Sequence, residues 1–271
     1  MKKTIVIADG KSPSNTAPIQ GDMEYCFKKA QELGFDAVQL TAWDAAMVDV
    51  DEICNLCEKY KMAVSAIATG GIYMKYGFSM GMDDEEKRKK AVSYMNGLAD
   101  VCAAIGRRGN APFLIIGAVR GKYCDASSPE AFKAAFDKSA HEIISYASSL
   151  GVTTIIEAIE MLESEHLRDI TETADYIRSF NTPYFKLQLD TMHMRRENQS
   201  FDKVDAAYDV AIQADLSGEA RRAPALDDYD YAGLFEHLKK INFRGWLTFE
   251  FEPDDEDGLA RTVEMVDKLR K

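Results

Sequence analysis

The segment Tyr184-Phe185-Lys186-Leu187-Gln188-Leu189-Asp190-Thr191-Met192-His193 decides how the rest of the chain is interpreted. Its apolar residues predict a short buried strand that ends on a carboxylate, with an imidazole three residues later. An Asp at the point where a strand leaves the core is poorly solvated and needs a cation or hydrogen-bond donors. His193 could bind a metal or a substrate oxygen. The alternative is a surface turn, because Asp-Thr is also ordinary turn sequence.

Seven other apolar segments of strand length occur along the chain, and amphipathic segments of helix length separate them. Together with 184–190, the predicted strands are residues 4–8, 37–40, 63–67, 113–117, 153–157, 210–215 and 245–250. The predicted helices cover about 22–33, 49–60, 84–105, 129–150, 167–180, 231–241 and 258–271. The long loop 69–83 is rich in Gly, Met and Tyr, and long loops inside compact domains tend to be functional.

This alternation of strands and helices predicts the α/β class with a parallel sheet. Eight units with nearly continuous apolar strands favour a closed (β/α)8 TIM barrel over an open sheet, and a chain of 271 residues suits one such barrel. No Gly-rich nucleotide fingerprint follows the first strand, so neither a doubly wound fold nor a nucleotide cofactor is expected. No linker interrupts the pattern, and residues 1–271 are therefore predicted to form a single barrel domain.

The net charge of -12 disfavours an electrostatic grip on nucleic acid, which requires clustered Lys and Arg. No run of ~20 apolar residues occurs, so no membrane association is expected. The N-terminus begins like a signal peptide, but Asp9 and Gly10 break its apolar run, which therefore reads as the first strand. The 5 scattered Cys residues are most simply explained as reduced thiols of a cytoplasmic protein.

Glu157, Asp190 and Glu250 each end a predicted strand and open the following loop. The carboxyl ends of the strands of such a barrel meet on one face, where three unpaired carboxylates would repel one another and have raised pKa values. One divalent cation would resolve this conflict, and oxygen ligands suit Mg²⁺ or Mn²⁺, with Co²⁺ as a further candidate. The alternative is that each carboxylate pairs with a basic side chain.

Four segments resemble motifs of the xylose-isomerase-like (β/α)8 superfamily, specifically its sugar isomerase and epimerase branch of ketose 3-epimerases and hydroxypyruvate isomerases. No single motif is specific, but their order and spacing are. Glu157-Ala-Ile-Glu-Met-Leu-Glu163-Ser resembles E-x-L-N-R-x-E-S, and Leu189-Asp190-Thr191-Met192-His193-Met194 resembles L-D-T-x-H-M. Arg221-Arg-Ala-Pro224 resembles R-x-x-P, and Gly245-Trp-Leu-Thr-Phe-Glu250-Phe-Glu-Pro253 resembles G-W-x-x-x-E-Y-x-P.

The resemblance implies a metal-dependent isomerase or epimerase of carbohydrate metabolism, which acts on a small sugar or hydroxy-ketone through a metal-stabilised enediolate. It also implies that Glu157 and Glu250 are both metal ligands and the pair that removes and returns a proton. Asp190 would be a further ligand. His193 and Glu163 would hold substrate hydroxyls, as would Arg221 from its loop.

Two residues outside these motifs also follow strands and are predicted to reach the substrate. Trp43 follows the second strand, and its ring could stack on the apolar side of a sugar. Arg120 follows the fourth strand. In the long third loop, Tyr73 and Tyr76 could form part of a lid.

The chain departs from the family pattern at two places. Glu160-Met161 stands where the motif has Asn-Arg, so a contact to the sugar differs. On the seventh predicted strand the family has a His or Gln ligand, and this chain offers Gln213 or Asp215, which face the same side by the two-residue period of a strand. Strand alignment and charge balance favour Gln213 as the fourth ligand, with Asp215 paired to Arg221 or Arg222. Alignment from the R-x-x-P loop favours Asp215 instead.

Other activities are compatible with the same scaffold. A lyase, such as a keto-polyol dehydratase or a C-glycoside-cleaving subunit, also begins with proton removal beside a carbonyl. A non-catalytic sugar-binding barrel is a third reading, and an apurinic endonuclease is disfavoured by 4 His residues and the acidic charge. The expected partner is a small-molecule sugar or keto-acid, and homo-oligomerisation is left open.

Overall fold

Parallel pairing of the apolar segments produces a closed barrel in the computed structural model, which describes residues 1–10, 16–253 and 256–271. Eight strands form the barrel wall, and the two-residue strand β2 extends it. The strands are β1 (Lys2–Ala8), β2 (Ile19–Gln20), β3 (Ala37–Thr41), β4 (Ala63–Ala68), β5 (Phe113–Ile116), β6 (Thr154–Glu157), β7 (Phe185–Asp190), β8 (Ala211–Leu216) and β9 (Trp246–Phe249).

The barrel closes because the first strand pairs with the last. Thr4 of β1 is opposite Ala37 of β3 on one side and Thr248 of β9 on the other, and both pairings are parallel. Beyond the end of β9, Ile7 pairs with Ile19, so β2 continues that edge. The predicted (β/α)8 TIM barrel of the α/β class is confirmed by this topology.

Helices follow the strands, and most begin at a side chain that caps them. Asp22, Asp49, Asp84, Ser128 and Asp169 each accept a hydrogen bond from a backbone N–H of the first turn, which fixes where the helix starts. Among the described residues, no helix is both long and apolar enough to cross a membrane. The helices are α1 (Met23–Glu32), α2 (Val50–Tyr60), α3 (Gly71–Tyr76), α4 (Glu85–Gly106), α5 (Pro129–Ser149), α6 (Ile170–Ser179), α7 (Thr191–Arg196), α8 (Asp202–Ala206), α9 (Tyr231–Lys240) and α10 (Glu256–Leu269).

Three short helices lie where the sequence predicts loops. α3 occupies part of the long loop 69–83, α7 follows β7 directly, and α8 precedes β8. Each has at most 6 residues, which is too short to display the apolar period by which helices are recognised in a sequence. The capping carboxylate of Asp190 explains why α7 begins where β7 ends.

The inside of the barrel combines an apolar cluster with buried polar side chains. Ala66, Ile115 and Ile155 form the apolar cluster, and the hydroxyls of Thr4 and Ser65 are hydrogen-bonded at 2.8 Å. Because strand side chains alternate between faces, a residue two positions further along a strand points to the same side. This rule brings carboxylates to the inner rim two residues after Ile155, Gln188 and Gln213, at Glu157, Asp190 and Asp215.

His166 lies in the loop between β6 and α6, among aromatic rings, rather than in a helix. Its ring is 4.9 Å from that of Phe136 and 5.9 Å from that of Phe132, measured between centroids. Burial, helped by the nearby charges of Arg120 and Lys133, lowers the pKa of His166 to about 4. The folded protein therefore keeps this imidazole neutral, whereas the unfolded chain protonates it near pH 6.5.

This difference predicts that His166 makes stability depend on pH. Because the pKa is lower in the folded state, the stabilisation is complete above about pH 6.5 and is lost as the pH falls towards 4. Replacing His166 with Phe should remove roughly 3 kcal/mol of pH dependence across that window. Urea unfolding of the unmutated protein and of His166→Phe at several pH values measures this difference. If the free energy of unfolding changed with pH in the same way in both proteins, His166 would not be its source.

Candidate active site

Asp190 ends β7 and caps α7, so its carboxylate is fixed by the backbone on both sides. Oδ1 accepts hydrogen bonds from the backbone N–H groups of Met192 at 2.8 Å and His193 at 3.1 Å. Oδ2 accepts one from Nη1 of Arg221 at 2.5 Å. Burial opposes ionisation of Asp190, but the charges of Arg221 and His193 outweigh it and lower its pKa.

Glu157 and His193 form the second part of the site. Glu157 is the last residue of β6, and its Oε1 lies 3.3 Å from Nε2 of His193. Burial would lower the pKa of His193, but the carboxylates of Asp190 and Glu157 raise it to about 9. Glu157 Oε1 and His193 Nδ1 are buried and make no hydrogen bond within the described part of the chain. Nδ1 of His193 is therefore available to a ligand, whereas Oε1 of Glu157 has the imidazole of His193 as an ion-pair partner.

Asp215 and Glu250 complete a group of carboxylates around Asp190. Asp215 is opposite Asp190 in the pairing of β7 with β8, and Glu250 directly follows β9. One oxygen from each of the three lies within 4.8 Å of one from the others. Burial, followed by the charges of Glu250, Asp190 and Glu157, raises the pKa of Asp215 well above its usual value. Burial also raises the pKa of Glu250, although Arg221 opposes it.

Arg221 extends from the loop after β8 into the centre of this group. Its Nη1 lies 3.3 Å from Oε2 of Glu250, and its Nη2 lies 3.1 Å from Nε2 of His193. Ala220 and Arg221 both adopt left-handed backbone conformations, with φ of 55° and 58°. Such conformations are costly outside glycine and persist where the surrounding structure imposes them. Arg222 is exposed, so Arg221 is the arginine that reaches the site.

The structure corrects the predicted pairing of Asp215 with Arg221 or Arg222. Asp215 does not pair with an arginine in the described structure; its Oδ1 accepts from Nε2 of Gln213 at 2.9 Å and its Oδ2 from Nε2 of Gln188 at 3.0 Å. Gln213 lies one inward position deeper, and its nitrogen also donates to Oε1 of Gln39 at 2.9 Å. Arg221 contacts Asp190 and Glu250 instead of Asp215, so its positive charge lies among the carboxylates.

Glu163 and Glu160 lie next to His193, within the group of side chains that follows β6. Glu163 is the residue that the motif predicts to contact substrate, and burial raises its pKa. Glu160, at the position where the family motif has Asn, is buried and pairs with Nη1 of Arg196 at 2.9 Å. The second oxygen of Glu160 accepts from the backbone N–H of Leu162 at 2.7 Å. The carboxylate of Glu160, which replaces the Asn of the motif, is therefore balanced by the positive charge of Arg196.

Arg120 is not placed to contact a substrate, contrary to the sequence prediction. Its side chain is fully buried, and its guanidinium donates to backbone carbonyls of three chain segments. The acceptors are Ile116 at 3.2 Å, Gly117 at 3.3 Å, His166 at 3.1 Å, Leu167 at 3.4 Å and, by a shorter contact, Glu157. Burial lowers the pKa of Arg120 to about 10, which still leaves it charged at neutral pH. Arg120 therefore supports the backbone beneath Glu157.

Trp43 is likewise buried, with only 3% of its surface exposed. A Cβ added to Gly71 would lie 2.4 Å from its ring, and Nζ of Lys75 lies 4.7 Å from the ring centroid. Stacking of a sugar on this ring is therefore not supported by the structure. In the third loop, the hydroxyl of Tyr73 donates to Asp125 at 3.1 Å. The ring of Tyr76 stacks on that of Tyr94 with centroids 4.9 Å apart.

Sequence reasoning missed the amide of Gln188, which contacts Asp215, and that of Gln39, which contacts Gln213. A usable signal was present, because Gln188 and Gln213 each precede a strand-end carboxylate by two residues and so face the same side. It also missed Thr16, whose hydroxyl donates to Glu250 at 3.1 Å. Thr16 belongs to the loop after β1, where no motif marks it.

The donor set suits a hard divalent cation. Four buried or nearly buried carboxyl groups converge, and burial together with the neighbouring carboxylates raises the pKa values of Asp215 and Glu250. Carboxylate oxygens are the ligands that Mg²⁺ and Mn²⁺ prefer. Oε1 of Glu157, which lies 3.3 Å from the imidazole of His193, is a further candidate ligand atom.

The sequence and the structure were compared with those of known proteins. It is 26% identical over 226 residues to an L-ribulose 3-epimerase of Methylomonas sp. (strain DH-1), covering 82% of this chain and 75% of that protein. It superimposes with a TM-score of 0.83 and 17% identity on a D-psicose 3-epimerase from Clostridium cellulolyticum H10 solved with D-tagatose, covering 100% of this chain and 98% of the other.

A second solved structure, a D-allulose 3-epimerase from Methylomonas sp. in complex with D-allulose, gives a TM-score of 0.79 at 21% identity. That comparison covers 100% of this chain and 98% of the other. At these identities the two structures establish the fold alone. The match that identifies the family extends over residues 27–271. The protein therefore belongs to the family of xylose isomerase-like TIM barrels.

Proposed function

We propose that this protein is a metal-dependent epimerase of a small sugar or hydroxy-ketone. The observation that carries the proposal is the convergence of four strand-end carboxylates around one guanidinium and one imidazole. The names of the similar proteins, which are ribulose and other ketose 3-epimerases, support the substrate class and the reaction.

Glu157, Asp190, Asp215 and Glu250 are the residues that would hold the cation. Asp215 is preferred to Gln213 because the nitrogen of the Gln213 amide faces Asp215, which turns its oxygen away from the carboxylate group. When bound, a divalent cation polarises the adjacent oxygens of a hydroxy-ketone and so acidifies the C–H bond between them.

Glu157 and Glu250 would move the proton. They stand at the ends of β6 and β9, which are separated in the barrel by β7 and β8, so their carboxylates approach the site from two sides. One carboxylate removes the proton from carbon, and the other returns a proton to the opposite face, which inverts the configuration without changing the mass. His193, Glu163 and Arg221 would hold substrate oxygens, and Arg221 also stabilises the negative charge beside Asp190.

The proposal predicts that each chain binds one divalent cation. After incubation with Mn²⁺ and desalting, elemental analysis should give close to one metal per chain, because several charged oxygens hold the ion. Asp190→Asn should lower this stoichiometry, and Asp202→Asn, at the exposed first residue of α8, should leave it unchanged. Less than ~0.1 metal per chain in the unmutated protein would refute the site.

Activity is tested on a panel of ketoses and keto-acids with added Mn²⁺, Mg²⁺ or Co²⁺. An epimerase gives a product of unchanged mass, and exchange of one carbon-bound hydrogen with solvent deuterium accompanies turnover. A product lighter by one water would indicate a dehydratase instead. Cation binding without turnover on any member of the panel would favour a binding protein.

A further inference from the structure

Three glutamines form a layer of amides inside the barrel, below the carboxylates. Gln39, Gln188 and Gln213 are at most 2% exposed and come from β3, β7 and β8. Gln188 pairs with Gln213 in the same strand register in which Asp190 pairs with Asp215. The row of amides is therefore aligned with the row of carboxylates, two residues earlier on each strand.

Both oxygens of Asp215 accept a hydrogen from this layer. Nε2 of Gln188 lies 3.0 Å from Oδ2, and Nε2 of Gln213 lies 2.9 Å from Oδ1. Two bonds to different oxygens fix the rotation of the carboxylate about its Cβ–Cγ bond. An amide is a neutral donor, so this arrangement orients the carboxyl group of Asp215 without adding a charge beside it.

The amides adopt this orientation although it leaves their own oxygens without partners. Oε1 of Gln188 and Oε1 of Gln213 are buried and make no hydrogen bond to any described residue. An unpartnered buried oxygen is costly, and turning either amide over would place that oxygen against the carboxylate of Asp215. Contact with Asp215 therefore determines which way both amides point.

We infer that Gln188 and Gln213 are positioning residues that hold Asp215 as a carboxylate ligand, and that this carboxylate directs the site towards hard, oxygen-preferring cations. The inference rests on the proposed function, since it concerns the cation proposed there. It goes further by assigning a role to two amides outside the carboxylate group and by naming the residue that sets cation preference.

The preference follows from ligand chemistry. A fourth carboxylate makes the proposed set entirely oxygen-based, which suits Mg²⁺ and Mn²⁺, whereas imidazole suits Zn²⁺ and other later transition metals. A carboxylate in this position also adds a negative charge beside Asp190 and Glu250, which strengthens attraction to a small divalent ion. The hydrogen bonds to Asp215 are consistent with this role, because each of its oxygens accepts from one amide and the other acidic neighbours are proposed ligands themselves.

The first experiment measures Mn²⁺ affinity by isothermal titration calorimetry in glutamine-to-methionine variants of nearly equal size. Gln188→Met and Gln213→Met should each raise the dissociation constant about 10- to 100-fold, which is typical when a partner of a metal ligand is lost. Gln39→Met is the matched control, because Gln39 contacts Gln213 and not Asp215, and its effect should stay below about threefold. Circular dichroism and thermal unfolding establish that each variant is folded.

A second experiment replaces Asp215 with His and compares Mn²⁺ with Zn²⁺. The affinity for Zn²⁺ relative to Mn²⁺ should rise at least about tenfold over the unmutated protein. An unchanged ratio would overturn the assignment of cation preference to Asp215, and this test does not depend on folding of the glutamine variants.

The outcomes separate the inference from the proposed function. If the unmutated protein binds neither Mn²⁺ nor Mg²⁺, the proposed function itself fails. If it binds Mn²⁺ tightly and Gln188→Met and Gln213→Met match Gln39→Met, the site stands and the positioning role is wrong.

Discussion

Replacing Glu250 with Gln is expected to leave the barrel folded and to reduce turnover at least about 100-fold. The amide has nearly the same size and can still accept from Thr16, but it cannot take a proton from carbon. The loss should persist at saturating Mn²⁺, because it reflects the proton-transfer step and not occupancy alone. Steady-state rates on the best substrate of the panel, together with solvent deuterium exchange, measure it.

Glu252→Gln provides the matched control. Glu252 is exposed and lies two residues further along the same loop, so the same change there should alter the rate less than about twofold. A Glu250→Gln protein with an unchanged rate would show that Glu250 is not the group that moves the proton. Deuterium exchange that survives while epimerisation is lost would assign proton removal to Glu157 and proton return to Glu250.

Arg120→Leu is expected to destabilise the fold by about 3–5 kcal/mol. The guanidinium is fully buried and donates to carbonyls of β5 and β6 and of the loop after β6, and leucine would leave those oxygens unsatisfied. Because Arg120 contacts the backbone carbonyl of Glu157, the loss should also loosen the end of β6. Urea unfolding at neutral pH gives the change in free energy.

Two further variants test whether the loss of stability comes from the buried hydrogen bonds of Arg120 or from the loss of a positive charge. Arg120→Lys keeps the charge with fewer donors, and its stability should fall between that of Arg120→Leu and that of the unmutated protein, since a lysine ammonium cannot reach all the carbonyls that the guanidinium bridges. Arg107→Leu removes an exposed arginine at the end of α4 and should change the stability by less than about 0.5 kcal/mol. Equal stability of Arg120→Leu and Arg107→Leu would contradict a structural role.

The barrel was predictable because its strands are buried on both faces, which makes each one a nearly continuous apolar run. The run from Phe113 to Ile116 and the run from Thr154 to Ile156 are recognisable without any knowledge of their partners. The end of a strand was predicted where its apolar residues are followed by a charged residue. This logic located Glu157 and Asp190 at the ends of β6 and β7.

Side-chain partners were less predictable, because they depend on distances across the barrel that the sequence does not contain. Arg120 follows an apolar strand as a substrate-binding residue would, but its side chain turns into the backbone of neighbouring loops. Asp215 and Gln213 share one face of β8, and only the position of Gln188 on the adjacent strand shows which is held by amides. Arg221 reaches Asp190 because Ala220 and Arg221 adopt left-handed backbone conformations, which no sequence pattern around them predicts.

Closure of the barrel through β1 and β9 has a consequence for folding during synthesis. Thr4 must pair with Thr248, so one edge of β1 has no barrel partner until the last strand has left the ribosome. At 5–20 residues per second this takes roughly 12–50 seconds, a long wait compared with hairpin formation on the microsecond scale. Until then, the edge of β1 that pairs with β9 in the native barrel is without that partner. Helper proteins that shield such edges would act on this intermediate, and the native barrel would offer them no corresponding site.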